Sequence, residues 1–148
     1  MIETLARATR SPIVDPGGLT FVYRGEADAV NLRLWIHGLP ASQPFERVGD
    51  TDLWVLRVEV PENSRIEYKF ERVRDGQEEW ILDPLNPWQA ADPFGANSVA
   101  QGHGYVRPEW TFADDKARAG TIEELTVPSA ALGAERDIGV YVPARFRR

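Results

Sequence analysis

Residues 52–73, "DLWVLRVEVPENSRIEYKFERV", decide the fold. Trp54, Leu56, Val58 and Val60 recur at every second position, Pro61-Glu62-Asn63-Ser64 interrupts, and Ile66, Tyr68 and Phe70 recur at every second position again. A period of two is the mark of a strand with one buried face, and a short break built from turn formers joins such strands antiparallel.

The same pattern extends outward in both directions. Upstream, "LTFVYRG" sets Leu19, Phe21 and Tyr23 on one face, and "AVNLRLWIHG" does the same with Val30, Leu32, Leu34 and Ile36. Downstream, Asp75-Gly76 is a dipeptide that turns a hairpin, here into "EEWIL". No amphipathic helix long enough for a crossover separates these runs, so parallel pairing is excluded. The expected fold is all-β, an immunoglobulin-like antiparallel β-sandwich over residues 18–110.

The flanks read differently. Residues 1–17 form a leader, with a short helical turn around Ile2, Leu5 and Ala6, then turn chemistry at Ser11-Pro12 and Asp15-Pro16-Gly17-Gly18. From Asp83 to Trp110 proline, glycine and polar turn formers predict a long ordered loop with one short strand near Asn97 to Ala100. Trp88, Phe94 and Tyr105 are expected to hold it down, each gaining roughly 1.5–3 kcal/mol by burial. Residues 111–120 read as a linker. Residues 121–148 carry two further strands, Ile122 to Val127 and Asp137 to Val142, around a turn containing Gly133.

Composition removes whole classes of function. The chain has 148 residues with 17 Lys+Arg against 23 Asp+Glu, a formal charge of -6, which disfavours nucleic acid and anionic membrane surfaces as partners. There is no cysteine, hence no disulfide framework, thiolate metal site or cysteine nucleophile. The first residues lack the apolar core of a signal peptide, and no run is long enough to span a bilayer, so a cytoplasmic protein is expected.

Chemistry-bearing patterns are sparse. A serine hydrolase needs a strand-to-helix elbow, usually G-x-S-x-G, and none of Ser11, Ser42, Ser64, Ser98 or Ser129 sits in one. His37 and His103 have no partner at ligand spacing, Glu78-Glu79 and Asp114-Asp115 are neighbours that point apart, and the glycines of "GHGY" do not lead a strand into a helix. No metal and no cofactor is expected.

Tryptophan is the suggestive residue. With Leu34 and Ile36 facing the core, Trp35 lies on the opposite face with Arg33 and His37. Two readings stay open: a loop or adjacent domain covers it, or it is a stacking platform for a sugar or flat aromatic ligand with Arg33 and His37 as polar handles. Trp54, on the apolar face of its run, reads as core.

The stretch from Leu19 to Trp110 also resembles a known family. Gly49-Asp50-Thr51-Asp52-Leu53-Trp54, Asp83-Pro84-Leu85-Asn86-Pro87 and "DPFGANS" are similar to motifs of the N-terminal early-set, immunoglobulin-like domain of bacterial enterochelin-esterase-type proteins. The resemblance makes Asp52, Trp54, Asp83, Pro84, Asn86 and Pro87 structural motif positions. "GTIEELTVPSAALGAERDIGVYVPARF" is similar to the entry of the α/β-hydrolase domain that follows in that family. The resemblance thus implies that Arg136 to Phe146 opens a second domain whose body lies outside this chain, together with its nucleophile, acid and histidine.

On that reading the chain is non-catalytic. It helps shape substrate access or packing of a carboxylic-ester hydrolase, with that hydrolase domain as its partner and a small ester as the ligand. Early-set domains also resemble glycogen-binding modules, which makes a glucan-binding module the alternative. A stand-alone interaction domain is a third reading, because the two C-terminal strands offer edges through which copies could pair as a homodimer.

Overall fold

The alternating runs become strands of two sheets in the computed structural model, which describes residues 5, 7–114 and 116–146. In chain order the strands are β1 (Ile13–Asp15), β2 (Gly18–Arg24), β3 (Ala29–Leu34), β4 (Ser42–Pro44), β5 (Glu46–Arg47) and β6 (Leu53–Val58). There follow β7 (Arg65–Arg74), β8 (Gln77–Ile81), β9 (Gln89–Asp92), β10 (Gly95–Gln101), β11 (Thr121–Ser129) and β12 (Ala134–Val142). The helical turn expected around Ile2, Leu5 and Ala6 lies outside the described residues, Leu5 excepted.

Two compact units divide the chain, Met1–Val106 and Arg107–Arg148. In the first, one sheet runs β1-β2-β6-β5 and the other β4-β3-β7-β10-β9, with β8 also pairing β7. Every pairing is antiparallel, and the unit is an all-β antiparallel sandwich. β8 and β10 share one edge of β7, β8 opposite Phe70 to Arg74 and β10 opposite Arg65 to Tyr68.

The inward positions make one core. Leu19, Phe21 and Tyr23 of β2, Val30, Leu32 and Leu34 of β3, Trp54 and Val58 of β6, and Ile66, Tyr68 and Phe70 of β7 join Phe45 and Ala100 in a single buried cluster. Its centre is aromatic: Phe21 meets Tyr68 edge-on at 4.8 Å between centroids, and Phe45 meets Phe70 at 5.1 Å. Such edge-to-face contacts add about 0.5–1.5 kcal/mol each beyond area burial.

Asp75 and Gly76 form the two-residue turn between β7 and β8, both with positive φ (52° and 73°). That is the backbone a right-twisted hairpin demands, and Asp-Gly supplies it at low strain.

The segment after Asp83 departs from expectation. It contains a hairpin, β9 and β10, rather than one short strand. Its aromatics do not secure it: Phe94 is 93% exposed at the hairpin turn, Trp88 is 53% exposed, and only Tyr105 is partly buried. Buried polar side chains hold it instead, as described below. Residues 13–15, read as leader, add β1 to the edge of β2, and Ser11 continues that edge by accepting a hydrogen bond from Val22 N–H at 3.1 Å.

In the second unit Arg107 ties down the 3-10 turn Glu109–Thr111 through bonds of 2.8 Å to the Thr111 side chain and carbonyl. β11 and β12 pair residue for residue from Thr121↔Val142 to Ser129↔Ala134. Leu125, Val127, Ile138 and Val140 line one face of this hairpin and are exposed. A two-stranded ribbon is marginal in water by itself.

Candidate functional site

The outward positions of the larger sheet carry the most organised surface cluster. Asn31, Glu71 and Trp80 stand side by side on β3, β7 and β8, because Asn31 pairs with Glu71 and Glu71 with Trp80. Arg33, the next outward residue of β3, pairs with Lys69, and Trp35 follows just past the strand end.

Glu71 organises this row. Only 7% exposed, it accepts from Asn31 Nδ2 at 2.9 Å on one oxygen and from the Trp80 indole N–H at 3.0 Å on the other, where Arg33 Nε also lies at 3.4 Å. A carboxylate so shielded from water persists only when paired and bonded, and here both oxygens are engaged. The Arg33 guanidinium carbon stacks 4.8 Å from the Trp80 ring centroid. Trp35 meets Trp80 with centroids 5.8 Å apart and planes inclined by 54°. Trp35 remains 60% exposed and Trp80 46%.

The structure thus brings Arg33 and Trp35 together, adds Trp80, and leaves His37 in the exposed turn beyond. Sequence reasoning missed Trp80. The signal was present: counting outward from the Asp75-Gly76 turn sets Trp80 opposite Glu71, on the outer face, while Ile81 opposite Phe70 points inward.

The motif residues lie elsewhere. Trp54 is buried, its indole N–H donating to the Gly25 carbonyl at 3.2 Å, and Asp52, at the turn before β6, accepts the Gly25 N–H on its carbonyl at 2.9 Å. Asp83 and Asn86 are 2% and 6% exposed and form a polar knot with Tyr68 and Ser98. Tyr68 donates its hydroxyl to Asp83 Oδ2 at 2.7 Å and receives Asn86 Nδ2 at 2.9 Å, while Asp83 N–H donates to Ser98 Oγ at 2.8 Å. Asn86 Nδ2 also donates to the Val99 carbonyl at 2.8 Å, and Asn86 Oδ1 accepts the Trp88 N–H at 2.9 Å. Pro84 and Pro87 sit exposed at the knot's two bends.

Electrostatics in the knot follow from its dryness. Burial pushes the Asp83 carboxyl up from the usual range, against downward pulls from Ser11, Tyr68 and the Leu85 N–H. Burial, reinforced by Asp83, also pushes the Tyr68 phenol up. Asn86 and Ser11 also line a cleft of about 170 Å³, together with Arg10, Pro12, Trp88 and Gln101.

Among the described residues no group of three or more His, Asp or Glu is placed to hold a metal ion, and no helix is long and apolar enough to cross a membrane. His103 lies 3.5 Å from Glu62, far in sequence from His37.

No family model matches the chain, and no curated protein matches it. Solved structures do. Ferric enterobactin esterase from Salmonella typhimurium superposes with a TM-score of 0.60 at 18% identity, over 93% of this chain and 45% of that one. Enterochelin esterase from Shigella flexneri gives 0.56 at 19%, over 93% and 44%. The Shigella flexneri enterobactin esterase solved in the presence of 2,3-di-hydroxy-N-benzoyl-serine gives 0.51 at 21%, over 82% and 38%. At these identities the likeness is one of fold, and the chain spans less than half the length of each of these proteins.

Proposed function

We propose that this sandwich is the non-catalytic N-terminal domain of a carboxylic-ester hydrolase of the enterochelin-esterase type, where it shapes substrate access or domain packing. The observation that carries the reading is the fold likeness, which extends over 93% of the chain yet takes up only 45% of the matched esterase. Two features support it. The apolar face of the β11–β12 hairpin is suited to burial against further structure of a hydrolase domain. The buried serines are committed to the sandwich, Ser11 to Val22 N–H and Ser98 to Asp83 N–H, and neither is offered to a histidine base.

The test uses two proteins, the 148-residue chain and the same chain extended by the codons that follow Arg148 in its gene. The extended protein is expected to turn over p-nitrophenyl butyrate, to lose that rate when one serine of a G-x-S-x-G elbow is replaced, and the short chain to stay at the buffer rate. Turnover by the short chain that vanishes on replacing one of its own serines overturns the reading, as does a stop codon directly after Arg148.

A further inference from the structure

We propose that the chain pairs with a second copy of itself along β9, the Phe94 ring of each copy seating in the other's cleft between Pro12, Pro87 and Trp88. The inference is independent of the esterase reading, and it uses a different surface from the edges of β11 and β12. Everything it needs lies in the unit Met1–Val106.

The first ground is a knob. Phe94 is 93% exposed at the tip of the β9–β10 hairpin, where the fold gains nothing from it. Its backbone is nevertheless braced. Asp92 accepts the Phe94 N–H on Oδ1 at 2.7 Å and the Asn97 Nδ2 on Oδ2 at 2.9 Å, and Asn97, only 8% exposed, also donates to Glu67 at 3.1 Å. An aromatic ring presented on a fixed tip loses little freedom when a partner buries it, which is the character of an interface anchor.

The second ground is a hole of matching size. The cleft of about 170 Å³ has apolar walls from Pro12, Val14, Pro87 and Trp88. An apolar cavity of about 150 Å³ takes a benzene ring. Phe94 cannot reach the cleft of its own molecule, because the four residues of β9 run between Trp88 and the tip, about 13 Å at the rise of a strand.

The third ground is register. β9 ends the larger sheet, and its exposed stretch Gln89-Ala90-Ala91 lacks the charges that guard a solvent edge. Trp88 turns its carbonyl to the Val99 N–H, so by the alternation of an antiparallel pair Gln89 and Ala91 turn their backbone groups to the free edge. A two-fold axis through Ala90 lets Gln89 of one copy bond with Ala91 of the other. Counting outward from that axis sets Phe94 of each copy opposite Asn86 of the other, a lining residue of the cleft, and Asp92 opposite Trp88. The Asp92 carboxylate then arrives beside Arg10, a cleft residue with no acidic partner among the described residues. The contact is isologous, so it closes at two copies.

The experiment is sedimentation equilibrium of the full chain from micromolar to millimolar concentration, with each variant first shown to keep the parent's thermal midpoint. A monomer of 16.6 kDa is expected to give way to a dimer. Phe94→Ala should weaken the dimer about a hundredfold, since the two-fold loses its anchor twice, and Trp88→Ala about tenfold. Ala91→Pro removes only an N–H of the free edge and should weaken it as well. Ala90→Cys, the sole thiol in a chain without cysteine, should cross-link the dimer on oxidation, because residues facing each other across the axis have Cα atoms about 4.5 Å apart. Ile138→Asp, in the other unit, should leave the dimer as in the parent. A chain that stays monomeric at millimolar concentration overturns the proposal. So does a dimer indifferent to Phe94→Ala, one that Ala90→Cys fails to capture, or one that Ile138→Asp dissolves.

Discussion

The sandwich contains two clusters in which a carboxylate organises an aromatic side chain, and they differ in where the aromatic points. Around Asp83 the carboxylate and the Tyr68 hydroxyl are both sealed inside, so every bond serves to hold the β8–β10 connection to the sheet. Around Glu71 the carboxylate is sealed while Trp80 and its neighbour Trp35 stay in water. The contrast teaches that polar networks of similar design either close a fold or present a surface, according to which partner is left wet.

The sharpest break of that contrast is Asn86→Ala. It leaves the Tyr68 hydroxyl oxygen and the Val99 carbonyl without the Asn86 Nδ2 donor and the Trp88 N–H without its acceptor, and is expected to lower stability by about 2–3 kcal/mol in urea unfolding.

A pH comparison sharpens it next. Asp83 has a folded value raised above that of the unfolded chain, so its stabilising contribution is complete below the ordinary carboxylate range, about 4, and is lost as pH rises through the folded value. The stability of the parent relative to Asp83→Asn is therefore expected to shrink between about pH 4 and pH 7, measured by urea unfolding at each pH. A gap that widens over that range would refute burial as the dominant influence on Asp83.

Glu71→Ala should cost less, about 1 kcal/mol, because the released indole and guanidinium reach water. Its readout is local: tryptophan fluorescence anisotropy falls as Trp80 is freed, with little change at the core.

The smallest effect belongs to a half-exposed ion pair at the sheet edge. Asp15 receives both Arg57 guanidinium nitrogens at 2.7 and 2.8 Å, which with the Gly17 N–H holds its carboxyl down at about 2. This contribution is present above the ordinary carboxylate range and fades as pH falls through about 2. Thermal midpoints of the parent and Asp15→Asn are expected to differ slightly at pH 7 and to converge near pH 2.

Much of this was legible in the sequence, for an identifiable reason. β2, β3, β6 and β7 each bury one face, and burial of one face writes a period of two into the residues. β8 was legible from its Asp-Gly turn rather than from a period, since "QEEWI" is exposed at four of its five positions, and the missing alternation hid only the outward facing of Trp80. The segment after Asp83 misled in the opposite sense. Size and apolarity pointed to Trp88 and Phe94 as its fasteners, but the short side chains of Asp83 and Asn86 fit beneath the backbone and meet Tyr68, which bulky rings could not do. Composition ranks residues by average burial, and a polar residue with every bond satisfied is where the average fails.

The turn at Asp75 and Gly76 has one further implication, for evolution and engineering. Two residues there set Trp80 outward and Ile81 inward, so the length of the turn acts as a parity constraint on everything that follows in β8. Register-preserving changes can extend the hairpin tip without disturbing its faces. A shift of β8 by a single residue would drive an indole toward Phe70 and bring Ile81 into water, erasing the outer aromatic pair with no substitution at either tryptophan.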